Sequence, residues 1–519
     1  MKPKIPNQKK AYDALNLRLI KYMSQVLNIY DRIANQIAIA VDGTNYDGSV
    51  EFLFRDYPEL NQTVKNLMSD YAGQMNNLIY SGTTKEWQES NIMQDLLARK
   101  VLRAYDFEKG GDKYQRYFQP NTDALKAFQQ RVDRGMNLSQ KLWVQSQALK
   151  KEIEQTISTA IDRGQSAVVL SKRISKYLSD YPSMKADYAE KYGKAVSCLD
   201  CQYASIRLAR TEINMAYRKA EQIRWKQFDF ILGYEIKLSK RHPAPDICDD
   251  LLGIYPKDFV FVGWHPNCMC YVIPIVMSDE EYYNPKQSLN SYKPLPSGLG
   301  SWIDKNCLRV LSSSRRKTLP YWLRDNKSVR DCAILIGKAR ERGDDFKKIG
   351  ETIAEKVGGI VTPVNYKSFS SMYRKLITEN IDITDIKDAL RSTIIVDKDK
   401  LEEVVYNLKH LDIFLRHKEQ KAEMFNGYSG NIINLSMPNN IVAEIQVNTA
   451  KMIYAKETES NAKRILGEEL WNKIRSETNL QGGLGHKYYE EIRLLNKVTD
   501  LPRIERLKRF SEEYYSHFR

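Results

Sequence analysis

Through the first 230 residues, apolar side chains recur every three or four positions, the period of an amphipathic helix. Leu19, Met23, Val26, Tyr30, Ile33 and Ile37 form one stripe, and Leu149, Ile153, Ile157 and Ile161 form another. Gly164 is placed to end the second helix and Ser166 to cap the next, which carries Leu170, Ile174 and Leu178. A further stripe runs through Ile206, Ala209, Ile213, Ala216 and Ile223. These stripes predict helices packed on one another.

The texture changes at Gly233. GYEIKLSKR and YVIPIV read as strands on either side of a loop-rich stretch holding Pro, Asp and Cys. Residues 279–300 are polar, rich in Pro, Ser and Gly, and without apolar period, which predicts a linker. Beyond about residue 330 the pattern is α+β. A helix follows Tyr366, the strand RSTIIV precedes an amphipathic helix carrying Leu401, Val404, Val405 and Leu408, and the strands NIINLSM and IVAEIQVN are joined by a Pro438-Asn439-Asn440 turn. The predicted fold class is mixed. A mainly α-helical N-terminal region (1–145 as a helical arm, then 146–278) ends in a small α+β Cys/His-rich subdomain. Residues 279–329 form a linker and tail segment, and 330–519 form a C-terminal α+β domain.

At 519 residues, the chain is long enough for about three domains of roughly 150 residues each. A hydrophobic fraction of 42% supports packed cores and excludes a wholly disordered chain. No long uncharged apolar run is present, so no membrane-spanning helix is expected. The basic start Met1-Lys2-Pro3-Lys4 leads into a polar helix rather than a secretory signal, so a soluble chain made in the cytoplasm is expected. Eighty Lys and Arg against 65 Asp and Glu give a net charge of +15, which points to a polyanionic neighbour. The basic residues are interspersed with acidic ones, and no dedicated nucleic-acid arm stands out.

The seven cysteines are an odd number spread over a long chain, unlike a disulfide scaffold. Cys198 and Cys201 lie in a helical stretch. The loop-rich stretch holds His242, Asp246 and Cys248, then His265, Cys268 and Cys270. Cys248, His265, Cys268 and Cys270 make a Cys3His set, a composition that holds structural Zn²⁺; the alternative is buried thiols stiffening a loop.

LARTEINMAYRKAEQIRW, HPAPDICDDLLGIYP and WHPNCMCYVIPI together resemble the phage Mu protein F-like head morphogenesis family, over about 150–275. The matching residues are Arg210, Thr211 and Glu212 and the His265 to Cys270 run. The resemblance implies a minor virion component that acts with the portal during head assembly, with no catalysis in this part.

Further on, Lys367, Ser371 and Lys375 are spaced four apart, with Ser368 placed to cap their helix. Two ammonium groups and a hydroxyl at a helix start form an anion cradle suited to a triphosphate. On IVAEIQVN, Glu444, Gln446 and Asn448 share one face by period two. A carboxylate and an amide there can hold Mg²⁺ and orient a substrate hydroxyl. Asp385 and Asp388 precede Arg391, so a carboxylate from that stretch can meet Glu444 across neighbouring strands, with the arginine beside them to neutralise phosphate charge.

KSFSSMYRK, IKDALRSTIIVD, NGYSG, EIQVNT and GLGHKYYEEIRLL, in that order over about 340–500, resemble the RelA/SpoT-like nucleotide pyrophosphokinase domain, a nucleotidyltransferase-like fold. The resemblance assigns Lys367, Ser371 and Lys375 to the phosphates of the donor ATP. Asp388 (or Asp385) and Glu444 would take Mg²⁺ and the acceptor hydroxyl, Tyr428 would stack on the acceptor base and Gln446 would position the acceptor. Asn365, Gly430, Ile432 and Asn448 depart from the family pattern, which leaves an adenine nucleotide or tRNA open as acceptor.

The combined expectation is a phage minor head protein at the portal and capsid interior, made in the host cytoplasm and lodged in the virion head. Its basic charge suits contact with packaged DNA, and its C-terminal RelA/SpoT-like domain would transfer pyrophosphate from ATP to a nucleotide or RNA hydroxyl. The alternative is primarily a RelA/SpoT-like toxin enzyme anchored by a head-protein domain, or an inactive nucleotide-binding module.

Overall fold

The computed structural model describes residues 2–41, 44, 46, 50–107, 110–160, 167–239, 244–284, 295–424, 426–496 and 499–519. Ile161, Gly164, Ser166 and His242, singled out above, lie outside the described residues. The chain forms two compact units: Met1–Gly298 with Pro320–Asn326, and Leu299–Leu319 with Lys327–Arg519. The fold is mixed α+β and mainly helical. Among the described residues no helix is long and apolar enough to cross a membrane.

Unit 1 is built on four long helices: α1 (Gln8–Val41), α2 (Pro58–Ala104), α3 (Leu138–Ala160) and α4 (Cys201–Gln227). At about 1.5 Å per residue α2 is about 70 Å long, and Pro58 at its first turn needs no amide partner. The predicted stripes face inward: Val26, Ile33, Ile37, Leu149, Ile153, Ile157, Ile174 and Ala209 share one core. Cys198 and Cys201 belong to that core. One unit thus takes in both stretches that the sequence reading divides at 145. Charged groups are buried along the helix seams in pairs. Arg18 meets Glu86 at 2.7 Å, Tyr12 donates to Glu221 at 2.6 Å, and Arg131 meets Glu212 at 2.5 Å. Glu212, from the Arg-Thr-Glu motif, is therefore a helix-packing residue.

After α4, three antiparallel strands in the order β2-β1-β3 close the unit: β1 (Ile231–Lys237), β2 (Gly253–Pro256) and β3 (Tyr271–Val276). β1 and β3 match GYEIK and YVIPIV. Residues 279–329, read as linker and tail, contain the helices Asp279–Tyr283, Ser297–Arg315 and Tyr321–Asp325. Leu299, Ile303, Cys307 and Val310 make the middle helix amphipathic, and all four are buried.

Unit 2 centres on a mixed six-stranded sheet. Its strands are β4 (Ile360–Val361), β5 (Asn365–Tyr366), β6 (Leu390–Ile395), β7 (Phe414–Gln420), β8 (Gly430–Met437) and β9 (Ile441–Asn448). The order is β4-β6-β9-β8-β7, with β5 also pairing β6. β6 and β9 run parallel; the other pairs are antiparallel. The hairpin between β8 and β9 turns at Asn439 and Asn440, both left-handed (φ 68° and 58°), a conformation asparagine tolerates. One sheet face is apolar, with Leu390, Ile394, Ile433, Leu435, Ala443, Ile445 and Val447 fully buried. Helices α5 (Lys327–Glu341), α6 (Gly343–Glu355) and α8 (Leu401–Lys409) pack on the sheet; α6 meets it closely enough for Gly350 to lie against Val361 and Ser392. The short helix α7 (Phe369–Thr378) follows β5, and α9 (Ala450–Lys456) follows β9.

Candidate active site

Period two leaves the other sheet face polar. β6 contributes Arg391 and Thr393, which in the parallel register stand opposite Glu444 and Gln446 of β9. Across the antiparallel pairs, Asn365 of β5 stands opposite Arg391, and Asn434 of β8 stands opposite Glu444. Asn434 is buried and Arg391, Thr393, Glu444 and Gln446 are partly exposed, while Asn365, at the sheet edge, is exposed.

The lysines arrive from one edge of this face. Lys367 follows β5, and its amide donates to Ala389 O at 3.1 Å, continuing the pairing with β6. Ser368 then caps α7 by accepting from the Ser371 amide at 3.4 Å, and Asp304 Oδ1 accepts from the Phe369 amide at 2.9 Å. The helix start is thus held twice. Lys367 Nζ lies 2.7 Å from Asp388 Oδ2, and Lys375 Nζ, two turns along α7, lies 3.2 Å from the same oxygen. Ser371 is exposed in the first turn, and its hydroxyl accepts from Ser368 Oγ at 3.1 Å. Asp385 sits exposed in a 3-10 turn, so Asp388 is the carboxylate between the lysines.

Burial acts to raise the Asp388 pKa, but the two ammonium groups outweigh it and hold the carboxyl below its usual value. Burial lowers the Lys367 pKa; Asp388 opposes that only in part, and the charges of Lys375 and Arg391 lower it further. Lys367 therefore feels Arg391, which links the lysine cluster to the Arg391–Glu444 pair.

On β9, Gln446 Nε2 donates to Glu444 Oε1 at 2.8 Å, while Lys456 Nζ, from the last turn of α9, donates to Gln446 Oε1 at 3.1 Å. Lys456 also lies 5.3 Å from the centre of the Tyr428 ring, a cation–π contact. The Tyr428 hydroxyl accepts from Asn448 Nδ2 at 3.0 Å, and its ring meets Tyr515 edge-on. Tyr428, Gln446 and Glu444 thus form one connected row.

Asn434, Lys456 and Arg416 belong to this site without having been singled out in the sequence. Asn434 is fully buried; it accepts from Arg416 Nη2 at 2.9 Å and donates to the carbonyl of Lys387, next to Asp388, at 3.0 Å. It ties the loop bearing Asp388 to the strand beside Glu444. Its signal was present: in NIINLSM it is a polar residue on the register face of Glu444, but only the pairing of β8 with β9 makes that visible.

The four Cys3His residues lie apart from this site, in unit 1. Among the described residues Cys248, Cys268 and Cys270 form one group with metal-ligating potential, and Asp246, Cys248 and His265 form another.

No protein-family model matches the chain. Over 186 residues, 36% of this chain, it is 33% identical to the (p)ppApp synthetase toxin Tas1 of Pseudomonas aeruginosa (strain UCBPP-PA14). That stretch is 42% of the relative, so the chain spans less than half the length of that curated protein. A solved complex between the Type VI effector Tas1 and its immunity protein aligns at 32% identity over 36% of this chain and 94% of that chain, with a TM-score of 0.33. These matches carry nothing for the head-protein resemblance. The sequence identity to the synthetase toxin supports a RelA/SpoT-like synthetase region in this chain.

Proposed function

We propose that the chain is primarily a toxin-type pyrophosphokinase that transfers the β,γ-pyrophosphate of ATP to a hydroxyl of an adenosine nucleotide. One observation carries this reading: Lys367 and Lys375 converge on Asp388 just before a strand whose Arg391 stands opposite Glu444. Identity to a (p)ppApp synthetase toxin favours an enzyme over a purely structural protein, and an adenine acceptor over guanosine or tRNA.

In the proposed reaction the acceptor oxygen attacks the β-phosphorus of ATP. The bond from that phosphorus to the α-phosphate oxygen breaks, AMP leaves, and the hydroxyl proton passes to Glu444. Lys367, Lys375 and Ser371 grip the triphosphate, the lysines exchanging Asp388 for phosphate oxygens. Asp388 and Glu444 are oxygen donors of the kind Mg²⁺ takes, and Mg²⁺ when bound neutralises triphosphate charge. Arg391 meets the charge that develops at the transferred group. Tyr428 stacks on the acceptor base, and Gln446, steadied by Lys456, orients the acceptor.

The test uses the full-length chain with Mg²⁺, γ-labelled ATP and, separately, adenosine nucleotides, guanosine nucleotides and tRNA. Label is expected in an adenosine nucleotide, with AMP formed in equal amount, and lost in Glu444→Gln. Absence of labelled product with every acceptor would overturn the reading.

A second reading concerns unit 1. The two parts of the head-protein motif meet in space: Asn214 and Arg218, on the helix of Arg210-Thr211-Glu212, both donate to Cys268 O. On that basis unit 1 is a phage head-type anchor that engages portal and capsid proteins, contacts packaged DNA and carries the toxin within a virion head. Mass spectrometry of purified particles tests it; absence of the chain from both proheads and mature virions sinks it.

A further inference from the structure

Three thiols and an imidazole from two loops of unit 1 converge beside a buried cation that has no counter-charge among its hydrogen-bond partners. Cys248 lies in the short helix Ile247–Asp250, its amide donating to Asp246 Oδ1 at 2.6 Å. Cys268 and Cys270 lie on the loop before β3. Cys248 Sγ is 3.8 Å from Cys268 Sγ, and all three sulfurs lie within 4.8 Å of one another. Ligands about 2.3 Å from a tetrahedral Zn²⁺ are roughly 3.8 Å apart, so this spacing already has the size of a zinc–thiolate edge. It is far longer than a disulfide, and all three cysteines are free and buried.

His265 faces Cys248, the sulfur common to both groups of possible ligands. Its Nδ1 lies 2.6 Å from Pro266 O, an acceptor, which points Nε2 at Cys248 Sγ, 3.0 Å away. Asp246 Oδ2 lies 3.1 Å from the same nitrogen. A lone pair, a carboxylate and a sulfur directed at one another are mutually repulsive unless a proton or a cation lies among them.

Arg218 supplies the second, independent observation. It is 1% exposed, and its Nη2 donates to the carbonyls of Cys268 (3.0 Å) and Cys270 (2.7 Å). Among the described residues its Nε and Nη1 have no hydrogen-bond partner. Gly263, with φ +117°, brings the loop so close that a Cβ there would stand 2.9 Å from Nη1 and 3.3 Å from Cys268 Cβ. A buried guanidinium whose hydrogen-bond acceptors are neutral carbonyls is costly. Three thiolates, one neutral imidazole and Zn²⁺ sum to −1, the charge that this cation lacks.

We propose that Cys248, His265, Cys268 and Cys270 bind one structural Zn²⁺ as a closed Cys3His site, with Arg218 as its buried counter-ion. The ion joins the helix Ile247–Asp250 to the loop before β3 and fixes both against α4, with no part in the nucleotide chemistry of unit 2.

The experiment is metal analysis of the untagged, full-length chain purified under reducing conditions. One zinc per chain is expected. Cobalt replacement should give the visible d–d bands of a tetrahedral site and a thiolate-to-cobalt charge-transfer band. Cys248→Ser should lose the metal. His265→Cys should keep it and strengthen the charge-transfer band by about a third, from three thiolates to four. Asp246→Ser, which keeps an oxygen to accept from the Cys248 amide, should leave content and spectrum unchanged, whereas zinc kept in His265→Ala and lost in Asp246→Ser would overturn His265 as the fourth ligand. A metal-free chain with all seven thiols titratable, or a Cys248–Cys268 disulfide found by mass spectrometry, would overturn the proposal.

Discussion

Lys367 and Asp388 form an ion pair at 2.7 Å with only 8% and 11% of their side chains exposed, and Lys375 reaches the same carboxylate at 3.2 Å. In the proposed reaction phosphate oxygens take the place of this carboxylate between the two ammonium groups. Replacing Asp388 by Asn leaves Lys367 buried against an amide. Unit 2 should then lose about 3 kcal/mol of stability in a denaturant melt. Adding Lys367→Met should restore most of it, because the orphaned charge is gone, while pyrophosphate transfer stays absent. Undiminished stability in Asp388→Asn would show that the pair does not hold the site together.

Glu444 is half-buried, and its side-chain partner among the described residues, Gln446, can donate equally well to an amide oxygen. Glu444→Gln should therefore leave the melting temperature unchanged. The rate of transfer should drop about 100- to 10,000-fold, the span typical of a lost general base. Single-turnover kinetics at saturating ATP distinguish this from weakened binding; a change confined to KM would reassign Glu444 to substrate positioning.

Asp304 acts on the proposed phosphate cradle from a distance. It accepts the first free amide of α7, the helix that carries Ser371 and Lys375. Removing a cap of this kind costs about 1 kcal/mol. Asp304→Ala should raise KM for ATP more than it lowers kcat, since the lysines remain and only their support loosens. Asp304→Asn, which keeps an acceptor oxygen, should restore most of the affinity.

Glu152 gives unit 1 a pH dependence of unusual sign. It is completely buried, and burial, opposed only in part by the Cys201 side chain, pushes its carboxyl up from 4.5 to about 8. The folded chain therefore binds this proton more tightly than the unfolded chain. Its contribution to stability is full below about pH 4.5, declines as pH rises, and is gone above about pH 8. Glu152→Gln should flatten that slope and raise the melting temperature at pH 9, with little effect at pH 5. Parallel melts of the two proteins at both pH values check it.

The sequence pattern predicts most elements of unit 2, because burial on one sheet face imposes period two. The β8–β9 hairpin is legible from alternation plus the asparagines of its turn. β7 is not: in FLRHKEQ the exposed positions outnumber the half-buried ones, and this edge strand owes its place to hydrogen bonds with β8. β4 and β5 have two residues each, too few for any period. The parallel pairing of β6 with β9 brings Arg391 opposite Glu444, yet no local pattern encodes which distant strand a segment pairs with. The choice between Asp385 and Asp388 likewise needs coordinates, since both precede β6 within one turn of chain. Cys248 and Cys268 are 20 residues apart, and their proximity depends on Arg218 holding the second loop, a contact invisible to spacing alone.

The polypeptide passes into the second unit at Leu299, leaves it after Leu319 and re-enters at Lys327. Recombination at one breakpoint after residue 326 would strand the Asp304 helix with the wrong half; a breakpoint before 299 would carry away Asn326, whose side chain donates to and accepts from the backbone of Val260. A different C-terminal domain grafted onto this N-terminal half must therefore bring its own equivalent of both segments, so inheritance of the two halves is coupled more tightly than in a bead-on-a-string fusion.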